Sequence, residues 1–238
     1  PHGMLIGQNS NNNTVSSNTV WNSSTTGIDI SLSENNTLVS NTFSENGRGV
    51  HLTDSRHNLI LLDTFHAESE TGILSTGSSS YNTIADSIID GTGTYGIQFN
   101  DGGHNNVNTT TISDRWTGIT ITSSGSNQIT SSSVTNCSIA GIAITGATSN
   151  IIANNIFNNT VNVEDDGSNI WNTSRLASVN IIGGAYRGGN FWSNYTGIDT
   201  DGDGIGDTEL PYTNAGGIIA GGDWFPLTNT TGAPPPVA

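Results

Sequence analysis

A short run near the C-terminus has the residue types and spacing of a hard-cation loop. Asp199, Asp201, Asp203, Gly204 and Asp207 follow the pattern D-x-D-x-D-G-x-x-D. Those are the first nine positions of a calcium loop, with glycine at the sharp turn and a backbone carbonyl, here that of Ile205, one place later. Carboxylates at alternate positions converge as the chain curls, and hard oxygen ligands in a flexible loop suit Ca2+ better than Mg2+ or Zn2+. The twelfth position is Leu210 where a bidentate Glu would stand, and Glu209 lies one place early. Glu209 or Asp223 is a candidate to complete the set. No helical pattern flanks the loop. The expected role is structural, because close carboxylates repel one another without a cation.

Other groups able to do chemistry are sparse. Asp29 and His51 fall at equivalent places in adjacent repeats, and Asp54 and Asp101 at equivalent places two repeats apart. At strand spacing the second pair stands about 10 Å apart, slightly beyond an inverting glycosidase pair. Scattered surface groups on a solvated sheet explain both pairs equally simply. His2, His57, His66 and His104 form no metal constellation in the sequence; His57 and His104 share a column, with Tyr81 between them. One Met and one Cys, Cys137, leave no soft ligand set for Cu(I), and Cys137 is expected as a packed or loop thiol. Trp21 and Trp116 lie four repeats apart and make no continuous sugar-binding stripe, whereas Trp192, Tyr195, Trp224 and Phe225 gather near the end, where they are expected to seal a core.

These residues must be positioned by a repeat. A Gly-apolar-x-apolar unit starts at Gly3, Gly27, Gly49, Gly96, Gly118 and Gly141, and Gly72 keeps the phase without the second apolar residue. Nine or ten residues after each glycine stands Asn13, Asn36, Asn58, Asn82, Asn105, Asn127 or Asn150. Two and seven places past each Asn comes an apolar residue, giving the columns Val15 to Ile152 and Val20 to Phe157. Strands this short cannot bury a face alone, but a spacing of 22–24 residues lets equivalent strands stack in parallel about 4.8 Å apart. The expected fold is all-β: a single right-handed parallel β-helix of seven to eight coils, with the handedness of parallel crossovers. Stacked inward Asn side chains would run a hydrogen-bonded ladder along the axis. A shorter eighth turn is expected, with Val161 and Val163 in the first strand, Asn169 in the ladder, and Trp171 and Leu176 in the apolar columns. The division is 1–179 for the repeats, 180–227 for a capping module with the calcium loop, and 228–238 for a Pro/Thr-rich linker.

Composition narrows the partners. Net charge is −15, only 11% of residues are charged, and all five cations are Arg. Phosphate recognition needs clustered Lys and Arg, so nucleic acid is excluded as a partner, and anionic polysaccharides and membrane surfaces are disfavoured. No apolar run has the length of a membrane helix, so direct membrane insertion of this chain is not expected. The pattern opens in mid-repeat at Pro1-His2-Gly3, which reads as a piece of a longer precursor. An open first coil around Met4, Ile6 and Val15 invites end-to-end self-association.

Stretches such as Asn150-Ile151-Ile152-Ala153-Asn154-Asn155-Ile156-Phe157 and Tyr95-Gly96-Ile97 resemble the NosD-like family, whose β-helix is shared with carbohydrate-binding proteins and sugar hydrolases. The closing segment, Gly188-Gly189-Asn190-Phe191-Trp192-Ser193-Asn194-Tyr195, the acidic loop, and Gly222-Asp223-Trp224-Phe225-Pro226-Leu227, resembles the C-terminal module of NosD-like proteins displayed on archaeal cell surfaces. The resemblance runs from residue 1 to about residue 227 and implies an extracellular, cell-surface setting with cell-envelope glycans or other surface proteins as partners. The leading expectation is a calcium-stabilised, non-catalytic structural or adhesive module of an archaeal envelope protein. A carbohydrate-binding or glycan-cleaving β-helix is the second reading, and a copper-maturation factor, the role of the family's namesake, is the third. Sequons begin at Asn12, Asn22, Asn35, Asn108, Asn136, Asn158, Asn172, Asn194 and Asn229, about as many as this composition produces by chance; glycosylation at some of them fits a surface protein.

Overall fold

The computed structural model describes residues 2–229, so most of the expected linker lies outside the described residues. The chain winds as a parallel β-solenoid in which each of seven coils gives one strand to each of three sheets. The first sheet begins with Met4–Gly7, Thr26–Ser31 and Arg48–Thr53, the second with Thr14–Ser16 and Thr37–Val39, and the third with Thr19–Trp21 and Thr42–Ser44. Registers stack like on like: Ile28 on Val50, Leu38 on Ile60, Phe43 on Phe65. The apolar columns read from the sequence are the core, and Ile28, Leu38, Phe65, Ile97, Ile119 and Ile152 are all 0% exposed. Phe43 and Phe65 stack with ring centroids 4.7 Å apart, the spacing of the coils themselves.

Two polar ladders run beside this core. In the expected one, Asn36 donates its backbone N–H (2.9 Å) and its Nδ2 (3.1 Å) to Asn58 Oδ1. Asn58 does the same to Asn82, and Asn150 to Asn169, so the ladder reaches the eighth turn. The second ladder lies five positions further on in each coil, in mixed chemistry. The Asn18 N–H donates to Asn41, that of Asn41 to the Asp63 carboxylate, and that of Asp63 to Ser87 Oγ. Near the other end Ser132 donates to Asn155, Asn155 to Asn190 and Asn190 to Asp223. Both ladders give buried corner N–H groups an acceptor they would otherwise lack.

One corner holds a buried ion pair. Arg115 reaches over the coil next to its own, donating to the Glu68 carbonyl (2.9 Å) and the Asp90 carbonyl (2.7 Å), with Nη2 3.5 Å from Glu68 Oε2. Both side chains are fully buried. Gly93 leaves the passage open, since a Cβ there would lie 2.2 Å from the guanidinium.

The eighth turn departs from expectation at two positions. Val161 lies outside the first-sheet strand, which runs Val163–Asp165 with Val163 beside Ile142 and Asp165 beside Ile144. Val163, Asn169 and Trp171 take their places, but Leu176 is 61% exposed. It belongs to a small antiparallel pair, Leu176–Ala177 with Tyr186–Arg187, inserted outside the solenoid. The vacated place in the third sheet is filled by Phe191–Trp192, with Trp192 beside Phe157. A detour of the chain thus puts the core residue sixteen positions later than the repeat implies. No helix among the described residues is long and apolar enough to cross a membrane.

Candidate functional site

The acidic loop is tied directly to the segment that closes the solenoid. Ile205, buried, bridges antiparallel to Leu227, and Leu227 bridges parallel to Phe191. The Gly206 N–H donates to the Pro226 carbonyl (2.8 Å) and the Thr228 N–H to the Gly204 carbonyl (3.2 Å). Gly204 turns at φ +90, in the left-handed region that glycine tolerates at no steric cost.

Within the loop one carboxylate oxygen each from Asp199, Asp201 and Asp207 lies within 4.8 Å of the others. Asp199 is buried and accepts backbone N–H groups from Gly202 (2.7 Å) and Gly204 (2.7 Å). Asp207 is held by the backbone N–H and hydroxyl of Thr200, and these bonds pull its carboxyl below the usual range. Asp203 stands apart from the three. Its carboxylate faces the Arg175 guanidinium and accepts the Ile205 N–H (2.8 Å), while burial and its acidic neighbours push its pKa up. Glu209 accepts the Thr196 hydroxyl (2.6 Å).

Asp223 has a different place: it is the hub of the cap. Fully buried, its carboxylate accepts the Asn190 N–H (2.7 Å), the Trp192 indole N–H (2.9 Å) and the Phe225 N–H (3.0 Å). Burial outweighs these donors and pushes its pKa up to about 7. Gly189 must be glycine here, because a Cβ would sit 1.8 Å from the carboxylate. Trp192 stacks between Phe157 (4.8 Å) and Tyr212 (4.7 Å), with Trp171 tilted against it at 5.7 Å. Trp192 therefore seals the core as expected, whereas Trp224 is 53% exposed and does not.

The remaining candidates spread along the outer surface. Asp29 and His51 are register neighbours, with the Asp29 Oδ2 3.9 Å from His51 Nδ1 and 3.6 Å from His2 Nδ1. The sequence reading set His2 apart from any constellation; the stacking of coils brings it to Asp29. Burial lowers the His51 pKa. Asp54 is occupied by the Ser78 N–H (2.9 Å). His57, Tyr81 and His104 form one exposed stack at 5.2 and 4.8 Å. Cys137 is a packed thiol, pushed up to about 11 by burial. Trp116, more than half exposed, walls a notch of about 290 Å³ floored by Ala67, Ser69, Thr92, Gly93 and Thr94.

The geometry can be set beside known proteins. No curated protein matches the chain. Among solved structures, that of the periplasmic alginate epimerase AlgG aligns with a TM-score of 0.63 at 14% identity, over 71% of this chain and 46% of the epimerase. Two mutant forms of the epimerase align with TM-scores of 0.53 and 0.56 at 17% and 14% identity, over 60% and 71% of this chain and 35% and 46% of theirs. The chain thus spans less than half the length of these structures, and the likeness is one of fold. The model of the family described as periplasmic copper-binding protein (NosD) matches residues 2–71 and 61–197. Those two matches run together over most of the solenoid and into the cap, and with them the chain belongs to the NosD family of parallel β-helix repeat proteins.

Proposed function

We propose that this chain is a non-catalytic, extracytoplasmic β-helix module, structural or adhesive, of an archaeal cell-envelope protein, and that calcium in the acidic loop holds its cap. The observation that carries the reading is the linkage of the loop to the closing strand: the segment bearing Asp199, Asp201 and Asp207 is the one that grips Leu227 and, through it, Phe191. A divalent cation there would neutralise converging carboxylates and fix the strand that covers the core. Asp199, Asp201, Asp207 and the Ile205 carbonyl would hold it; Asp203 would join after leaving Arg175, or stay as the arm that anchors the loop. The periplasmic descriptions of the family and of the epimerase support a location outside the cytoplasm.

The test is thermal unfolding with and without calcium, read with amide exchange. Chelation should lower the melting temperature and expose residues 188–227, leaving the β-rich coils formed. Calcium at a hundredfold over its dissociation constant should add about 2.7 kcal/mol, and Asp201→Ala with Asp203→Ala should remove that gain. An unchanged melting curve in chelator sinks the reading.

The Trp116 notch favours a second reading, binding of a neutral glycan. An exposed indole face supplies stacking, Ser69, Thr92 and Thr94 supply hydroxyls, and no charged residue lines the notch. A glycan array with intrinsic fluorescence, followed by an activity screen, separates this from the first reading. Copper, named in the family description, finds weaker support as Cu(I): the single Cys is buried with a raised pKa, and the single Met, Met4, lies in the first coil. A copper titration tests it.

A further inference from the structure

We propose, on the calcium reading of the loop, that Arg175 is a built-in competitor of the ion. It holds Asp203 until calcium draws that carboxylate to Asp199, Asp201 and Asp207, and the exchange releases the hairpin that follows Arg175. A guanidinium sits on the one carboxylate of the D-x-D-x-D-G-x-x-D pattern that stands apart from the other three. Three aspartates converge within 4.8 Å, and the fourth is turned to a cation supplied by the chain itself.

The guanidinium is placed for exchange rather than for permanence. Its Nη2 meets Asp203 Oδ2 while its Cζ lies 4.1 Å over the Tyr186 ring, so a second partner remains when the carboxylate leaves. The Arg175 side chain is 42% exposed, and an ion pair so open to solvent is weakly held. Asp203 already stands beside its fellow ligands. Its backbone N–H donates to Asp199 Oδ1 and to Asp201 Oδ1, each at 3.2 Å. Rotation of one side chain, with the backbone in place, is the movement the exchange requires. A hard divalent cation bonds a carboxylate oxygen directly, whereas a guanidinium offers one charge spread over three nitrogens.

The hairpin hangs on this pair. Arg175 directly precedes Leu176–Ala177, which pairs with Tyr186–Arg187. The hairpin turn lies against the acidic loop, where the Gly184 Cα is 3.3 Å from the place a Cβ on Gly204 would take. The Ile181 N–H ties the same turn to Asn154 Oδ1 on the solenoid (2.9 Å). Among the described residues, Arg175 with Asp203 is the one ion pair joining hairpin to loop. Freed of it, the hairpin moves against the coils, and with it one wall of a groove of about 460 Å³ that Leu176 and Arg187 line together with Asn108, Thr130 and Asn154. Calcium would thus stiffen the cap and loosen the hairpin, opposite responses in neighbouring segments.

The experiment is a calcium titration of the whole chain and of Arg175→Gln by calorimetry, with amide exchange on the unaltered chain. Removing the competitor should tighten calcium binding about fivefold, as befits an ion pair this exposed. In Asp203→Asn, which has no carboxylate to contest, adding Arg175→Gln should leave the affinity where it was. Saturating calcium should speed exchange at Ser178 and Asn180, whose N–H groups hold the hairpin together, while slowing it in residues 188–227. Equal affinities for the unaltered chain and Arg175→Gln, or hairpin amides that calcium leaves unchanged or slows, overturn the proposal with the calcium reading intact. Heat of binding absent from both chains overturns the calcium reading itself, and this proposal with it. Exchange in the unaltered chain decides the matter even if a variant fails to fold.

Discussion

The coils and the cap solve the same problem, closing polar backbone around an apolar interior, by opposite means. In the coils each solution is used again: Ile28, Val50, Ile73 and Ile97 occupy one column, and Asn36, Asn58 and Asn82 one ladder. The loss of any single rung is shared with its neighbours. In the cap each solution is used once. Asp223 alone receives the Asn190, Trp192 and Phe225 donors, and Trp192 covers Phe157 at the end of its column. Repetition makes a structure tolerant, and a single hub makes it brittle.

The largest effect expected from this contrast is at the hub. Asp223→Ala leaves two buried donors and one part-buried donor without an acceptor and should cost about 4 kcal/mol. Unfolding followed by exchange should then show residues 188–227 opening before the coils; a single cooperative transition with the coils would break the comparison.

A change of opposite sign is expected inside the second ladder. Asp63 stands where Asn41 and Asn155 stand in other coils, and its Oδ2 is buried without a partner. In Asn41 and Asn155 the corresponding amide donates to a carbonyl, of Val15 and of Ile129. Burial pushes the Asp63 pKa from 3.8 to about 6. A carboxyl whose pKa is raised by folding favours the folded state fully below the unfolded value and loses that contribution as pH rises through the folded one. Stability should therefore fall by about 3 kcal/mol as pH rises from 3.8 past 6. Asp63→Asn should remove this share of the fall, leaving the part that comes from Asp223 and Glu68, and be the more stable protein at neutral pH, which denaturant melts across pH would read.

A rung of the first ladder should matter less than the hub. Asn82→Ala removes the acceptor of the Asn58 N–H and amide and should cost about 2 kcal/mol, with no local opening of the cap. The smallest effect on stability, within about 0.5 kcal/mol, is expected for Trp116→Ala, whose side chain is exposed. The same substitution should abolish any glycan-dependent fluorescence change, so it separates surface function from the fold beneath it.

How much of this was legible in the sequence follows the same division. The apolar columns and the Asn13 to Asn169 ladder were readable because one residue type recurs at one spacing. The second ladder was missed because it is written in four residue types, as Asn18, Asn41, Asp63, Ser87, Thr110, Ser132 and Asn155; its signal is a small polar residue five places past each ladder Asn. Leu176 was misplaced because an inserted hairpin breaks the count, and no period can foresee an insertion. The spacing of the acidic loop was plain, yet the turn of Asp203 toward Arg175 depends on a residue far off in the chain. His2 meets Asp29 only through the stacking of coils, which a linear reading of histidines does not contain.

The clasp between Arg115 and Glu68 has a consequence for how such a chain can change length. Elsewhere a whole coil could be duplicated or lost, because each turn offers the next the same surface. The guanidinium, however, spans a fixed interval, from the corner after Thr111–Ser113 to the corner after Thr64–His66, over the gap left by Gly93. Removing the intervening turn would leave one buried charge facing another at the wrong height. That stretch therefore acts as a gauge, and growth or shrinkage by repeat duplication is expected on either side of it.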